Sequence, residues 1–298
     1  MNPQRPLMLG LVGDSASGKT TLVRGVVRLL GHHGVTPLCL DDYHLFSRAE
    51  LYDQGLTAAD PSANNLEQML ADLRTLQAGG TIRKPVYDHR SGTLRGPEMV
   101  AATGLVVAYG MLTLTPVGVT DLFDLTVYLE PDAQLRQVWR LERDVTERGY
   151  TAEQVRERQA MRERDGTRFV QIQRAQADLV VRFHAAPADL DIELLLRDAP
   201  GAARLAPTLT ALAAAQIPGL AVNTTITDED GRRGAQLLIR ADISADAAIV
   251  AADLIGNYRP GLNSTSLARL GQIRSRNTLR HSLPLALTQL MIVARLVG

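Results

Sequence analysis

Apolar positions along this chain follow two rhythms: short unbroken runs that stop at glycine or an acid, and longer stretches with an apolar residue every three or four places. "PLMLGLVG", residues 6–13, reads as a buried strand closing on glycine. The next stretch places Leu22, Val23, Val26, Val27, Leu29 and Leu30 on one helical face before Gly31 and Gly34 stop it. "VTPLCLDDYH" reads as a second buried strand ending in two carboxylates. "NNLEQMLADLRTLQAGG" is an amphipathic helix, and "TIRKPVYDHRSGTLRG" a hairpin turning at "DHRSG". "LVVAYG", "DLTVYLEP" and "ADLVVRF" supply three more strands. The helix between the last two, "DAQLRQVWRLERDVTERGY", is expected to turn Leu135, Val138 and Leu141 inward.

Strands alternating with helices imply a parallel sheet covered on both faces. Beyond "HAAPADLD" the texture changes to alanine-rich helices and at least one strand, "GAQLLIRADI". The expected division is residues 1–198 as one domain and 199–298 as a C-terminal region. The 298 residues are 45% apolar, enough for a full core. Neither a signal segment nor an apolar run long enough for a bilayer is legible, which reads as cytoplasmic with no membrane partner. Cys39 is the only cysteine, so no disulfide can form within the chain.

Net charge is zero and aromatic content only 4%, so a base-stacking, phosphate-tracking nucleic-acid surface is not expected. A small-molecule partner fits better. Of the 32 basic residues only Lys19 and Lys84 are lysine. A chain this rich in arginine keeps lysine where a compact ammonium is needed and a planar fork will not fit.

"LVGDSASGKTT" carries the chemistry. Gly13, Gly18, Lys19 and Thr20 match G-x-x-x-x-G-K-[ST], between a strand and a helix as that pattern requires. The backbone N–H groups of Asp14, Ser15, Ala16, Ser17, Gly18 and Lys19 would then face phosphates at the positive end of the helix, with Thr20 and Thr21 in its first turn. Lys19 would meet the β- and γ-phosphates and Thr20 a Mg²⁺ ion. Asp41 or Asp42 would stand near the γ-phosphate if their strand neighbours the first; either also reads as a turn or cap residue. Arg140 and Asp144, at i,i+4, could simply pair on a solvated face.

Together "GDSASGKTT", "LDDYH", "KPVYDH", "ERDVTERGYT" and "ADLVV" resemble the phosphoribulokinase and uridine kinase family in order and approximate spacing, over most of residues 8–183. "DDYHLFSR" and the C-terminal "HSLPLALTQLMI" resemble its phosphoribulokinase branch. The resemblance implies an α/β P-loop NTPase fold of three layers around a parallel sheet, plus a small C-terminal α+β segment. It implies ATP and Mg²⁺ as cofactors, D-ribulose 5-phosphate phosphorylated at its C1 hydroxyl, and a homodimer or larger assembly. It further implies Asp41 as catalytic base, Asp144 as a second essential acid at Mg²⁺ alongside Asp41 and Thr20, and His44, Arg48, Lys84, Tyr87, His89, Arg143 and Arg148 at the substrate.

The chain departs from the family at "YGML", where relatives read "EGLH" or "EGIL": Tyr109 stands where a carboxylate is expected. A phenol does not give Mg²⁺ an anionic oxygen at neutral pH. The stretch "RERDGTRFVQIQRAQ" also departs. A uridine or other small-metabolite kinase, and a nucleotide-binding protein of this fold without catalysis, stay open beside the first reading.

Overall fold

The computed structural model describes residues 5–187, 189–199, 202–257, 262–275 and 278–297. The chain begins β1 (Leu7–Val12), α1 (Lys19–Leu30), β2 (Val35–Cys39), α2 (Arg48–Asp53), α3 (Leu66–Gln77), β3 (Thr81–Asp88), β4 (Thr93–Ala101), β5 (Leu105–Gly110), β6 (Leu125–Pro131) and α4 (Ala133–Glu147). It continues α5 (Ala152–Glu157), α6 (Gln159–Asp165), β7 (Leu179–Ala185), β8 (Leu190–Arg197), α7 (Ala206–Ala215), β9 (Leu220–Thr227), β10 (Arg233–Ile239), α8 (Ala245–Gly256), β11 (Gln272–Ser275), β12 (Thr278–His281) and α9 (Leu283–Leu296). Its contacts define two units: Met1–Lys19 with His32–Thr126 and Arg136–Gln176, and Thr20–Gly31 with Val127–Leu135 and Ala177–Gly298. Among the described residues no helix is long and apolar enough to cross a membrane.

In the first unit the strand order is β2-β5-β1, all parallel. The condition that would have put Asp41 beside the first strand is not met, because β5 lies between. The physical reason is in its composition: Leu105 to Ala108 are buried to 3% exposure or less, and a strand apolar on both faces belongs inside a sheet. Leu11, Tyr109 and Cys39 consequently share one level across the three strands. α3 buries Met69, Leu73 and Leu76 and starts where the Asn65 side chain accepts from the Gln68 N–H. β3 and β4 form the expected hairpin as a separate two-stranded sheet.

Helix α4 corrects the sequence expectation. Val138 is 62% exposed and Leu135 and Leu141 are only half-buried, whereas Arg140 and Asp144 are buried. The polar face is inside because each of its charges meets opposite charge, which removes most of the cost of burying it. The Arg140–Asp144 pair does not form; the two side chains have other partners, described below.

In the second unit the order is β6-β7-β8-β10-β9, with β6 and β7 parallel and the remaining pairs antiparallel. β8 ends at the residue before the expected boundary at 198. Every residue of α9 from Pro284 to Leu296 is buried. Gln289, with no exposed surface, donates to the Thr21 carbonyl at 3.2 Å and accepts from the Gly271 N–H at 2.8 Å. A Cβ at Gly25 would overlap the Gln289 amide, so α1 lacks a side chain where this residue of α9 packs. The C-terminal helix is therefore core of this unit.

Candidate active site

The loop after β1 gathers its own lysine. Lys19 Nζ donates to the Gly13 carbonyl at 2.7 Å and the Asp14 carbonyl at 2.9 Å, and burial holds this ammonium below its ordinary range despite Asp41 and Asp14 nearby. Ala16 and Gly18 take φ of 66° and 94°, left-handed values that curl the loop. Ser17 is 1% exposed and its hydroxyl has no hydrogen-bond partner among the described residues. A buried orphan hydroxyl in a curled, lysine-closed loop is the donor set that phosphate oxygens satisfy. The loop fits a nucleotide's phosphates. Thr20, exposed, and Thr21 continue α1 directly after Lys19.

Asp14 ties this loop to α4. Its carboxylate pairs with Arg136 and, at 3.0 Å, with Arg140, which also reaches the Ser15 carbonyl. Arg143 donates to Ser15 Oγ at 2.9 Å. Sequence reading had not singled out Arg136 or Arg140 as site residues. Their signal was a basic residue at every third or fourth place of α4, which α-helical geometry puts on one face.

Asp41 and Asp42 sit in a 3₁₀ turn, Leu40–Asp42, that β2 delivers, and they point to different partners. Asp41 Oδ1 accepts the Met111 N–H at 2.8 Å, and no hydrogen bond reaches its other oxygen among the described residues. Burial pushes Asp41 up, but Lys19 and the Met111 N–H outweigh it and hold the carboxyl below the usual range. It is anionic at neutral pH, with a free oxygen and a lysine nearby. Asp42 instead pairs with Lys84, which also meets Glu98 at 3.0 Å. The ammonium of Lys84 is thus consumed in holding the hairpin to the Asp41 turn.

Around Asp41 the elements bring imidazoles and guanidiniums together. His44 Nδ1 lies 2.7 Å from Asn64 Oδ1, and its ring meets Tyr87 edge-on at 4.8 Å, which meets His89 at 5.1 Å. Burial, with Arg148 next to it, lowers His89 to about 4, so the ring is neutral at physiological pH. Arg48 opens α2 behind a Ser47–Glu50 capping box and donates to the His89 carbonyl at 2.6 Å and the Arg148 carbonyl at 3.0 Å. Its guanidinium lies 4.4 Å from the Tyr150 ring centre and lines a cleft of about 420 Å³ with Tyr52, Gly92 and Arg158.

Asp144, 2% exposed, is surrounded by Arg143 at 2.7 Å, Arg162 at 3.4 Å and Arg148 at 3.8 Å. Burial pushes this carboxyl up, and Arg143, Arg148 and Arg162 more than offset it, leaving it below the usual range. Arg148 is lowered to about 10 by burial and by Arg143, and stays charged at neutral pH. Three guanidiniums on one carboxylate leave a net positive wall, the feature an anionic acceptor needs. Tyr109 is half-buried beside Cys39, and burial next to Cys39, Asp42 and Asp41 raises its phenol further from ionisation. It gives no anionic oxygen to a metal.

Known proteins resemble this chain in sequence and in fold. The chain is 37% identical over 178 residues to a phosphoribulokinase of Synechocystis sp., covering 60% of this chain and 54% of that protein. A uridine kinase of Brevibacillus brevis is 33% identical over 154 residues, 50% of this chain and 72% of that one. The solved phosphoribulokinase of Rhodobacter spheroides superposes with a TM-score of 0.60 at 17% identity, over 88% of this chain and 99% of that one, which supports the α/β fold. This chain spans about half the length of the phosphoribulokinases it matches in sequence. The family model for the Phosphoribulokinase / Uridine kinase family matches residues 8–187, a range that holds the Lys19 loop, the Asp41 turn and the arginine-ringed Asp144, and the chain belongs to that family.

Proposed function

We propose that this protein is an ATP-dependent kinase that phosphorylates D-ribulose 5-phosphate at its C1 hydroxyl. The observation that carries the reading is Asp41: a carboxylate held ionised next to Lys19, with one oxygen fixed by the Met111 N–H and the other unbonded. That free oxygen takes the proton of the attacking hydroxyl. Bound ATP supplies the γ-phosphoryl group, with Mg²⁺ spreading the charge that develops on it. Residues Gly13 to Thr21 hold the triphosphate, Lys19 balances its charge, and Arg136 and Arg140 brace the loop through Asp14.

Mg²⁺ is a hard cation that takes oxygen ligands, which the Thr20 hydroxyl and the phosphate oxygens offer. Asp144 joins them only by giving up a guanidinium. Arg148 and Arg143 hold the acceptor's own phosphate, with His44, Tyr87 and His89 along its carbon chain and Arg48 and Lys84 fixing the segments that carry them. The kinase region is residues 1–198 and the C-terminal region 199–298. The same reading gives a cytoplasmic enzyme that self-associates as a homodimer or larger, which sedimentation of the purified chain tests.

Mg²⁺-dependent bisphosphate formation is measured with ATP and a panel of pentose phosphates and nucleosides. Preferred turnover of D-ribulose 5-phosphate is expected; preferred turnover of uridine would make the protein a nucleoside kinase. A second reading rests on the un-ionised Tyr109: a nucleotide-binding protein without transfer activity. ATP binding with no turnover of any acceptor would establish that second reading.

A further inference from the structure

Three different elements of the first unit converge next to Asp41 on a set of side chains that the phosphoryl-transfer reading does not use together. Cys39 ends β2, Asp42 lies in the 3₁₀ turn after it, and His89 is in the turn between β3 and β4. One donor atom from each, a thiol sulfur, a carboxylate oxygen and an imidazole nitrogen, lies within 4.8 Å of the others. We propose that Cys39, Asp42 and His89 form a binding site for a soft divalent cation of the zinc and cadmium class, separate from the oxygen ligands that suit Mg²⁺.

The donor set selects that class. Thiolate and imidazole favour zinc-like ions, and three protein ligands with one open position is a recurring arrangement for them. The three donors differ in what they already hold. The His89 nitrogens have no hydrogen bond among the described residues, and the ring is neutral at physiological pH, the form that ligates. Asp42 gives one oxygen to Lys84, while the other receives only a long contact of 3.3 Å from the Tyr87 N–H. Cys39 is half-buried, and its thiol shares a side-chain hydrogen bond with Tyr109 that a bound ion displaces. Burial, with the negative potential of Asp41 and Asp42, pushes the thiol up; that same potential attracts a cation. Binding forms a metal–sulfur bond and releases the thiol proton to water, with no change of oxidation state.

Occupation draws Asp42 and His89 together and sets a dication beside Asp41, so it opposes both proton transfer at Asp41 and the Lys84 pair that holds the hairpin. The inhibition arm of the test rests on the kinase reading; the binding arm does not. Cd²⁺ alone, then Co²⁺ alone, is titrated into the full chain with Mg²⁺ in excess. One equivalent of Cd²⁺ is expected to give a sulfur-to-cadmium absorption band, and Co²⁺ a visible spectrum of four-coordinate type. Cys39→Ser removes the band and weakens binding by about 100-fold or more, and His89→Gln weakens it by about 10–100-fold, since losing a direct ligand costs at least what losing a supporting contact does. Cys39→Ala and circular dichroism check that loss of binding is not loss of fold. Cd²⁺ also inhibits the native enzyme but not Cys39→Ser. No band, or a band unchanged in His89→Gln, overturns the proposal, the latter because it marks a thiol acting alone. If the native chain has no kinase activity, the spectra still decide.

Discussion

Replacing Lys84 with methionine tests whether the hairpin is held by a buried charge pair. Lys84 is 4% and Asp42 7% exposed, so the variant keeps the stem's volume while leaving a carboxylate with only the long Tyr87 N–H contact. Removing one member of a buried ion pair typically costs about 3–5 kcal/mol, because the remaining charge is left uncompensated. Burial already holds Asp42 above the usual carboxylate range with Lys84 in place, so without Lys84 it climbs further. A carboxyl with a raised folded-state value binds more protons in the native state than in the unfolded one. Stability therefore increases as pH falls through the folded value, by up to about 1.4 kcal/mol per pH unit until the unfolded value near ~4.

K84M is expected to lose about 3–5 kcal/mol near pH ~8 and to regain part of it near pH ~6, more than the native chain gains over the same interval. In K84M/D42N the neutral amide replaces the stranded charge, and most of the loss returns. Urea unfolding of the native chain, both single variants and the double variant, followed by circular dichroism at the two pH values, completes the cycle. A double variant as unstable as K84M, or a K84M deficit equal at both pH values, refutes the reasoning.

Lys19→Ala is expected to slow transfer by about 10³-fold with the fold retained, as loss of a charge stabiliser at the transferring phosphoryl group predicts; steady-state rates and circular dichroism check it. Asp41→Asn should lower kcat by about 10²–10⁴-fold at little change in KM for ATP, and a pure KM effect would make Asp41 a binding residue. Arg148→Ala should raise KM for the sugar phosphate about 10–100-fold, the equivalent of losing a charged hydrogen bond, and an unchanged KM removes it from the acceptor site. Tyr109→Phe should leave Mg²⁺ dependence and kcat within a few-fold of native, because the phenol stays un-ionised in its half-buried position; a large loss would show that its hydroxyl takes part.

Local rules were enough for much of this protein. A glycine-punctuated strand, loop and helix produced the Lys19 loop, because that geometry depends on residues within about one turn of each other. The hairpin and the C-terminal helix were legible for the same reason: turn chemistry and apolar periodicity are written in neighbouring residues. What the sequence could not order was anything decided by partners far along the chain. Strand order is one case, since an apolar β5 enters between β1 and β2 although more than sixty residues separate it from β2. The face of α4 is another: hydrophobic spacing pointed Val138 inward, but Asp14, more than a hundred positions away, meets Arg136 and Arg140 and turns the charged face inside. Lys84 was conspicuous by its rarity, yet only the folded chain shows that its ammonium faces Asp42 and Glu98. Electrostatic partners act through space and leave no period in the sequence, so tertiary structure alone decides which charges are buried and what they hold.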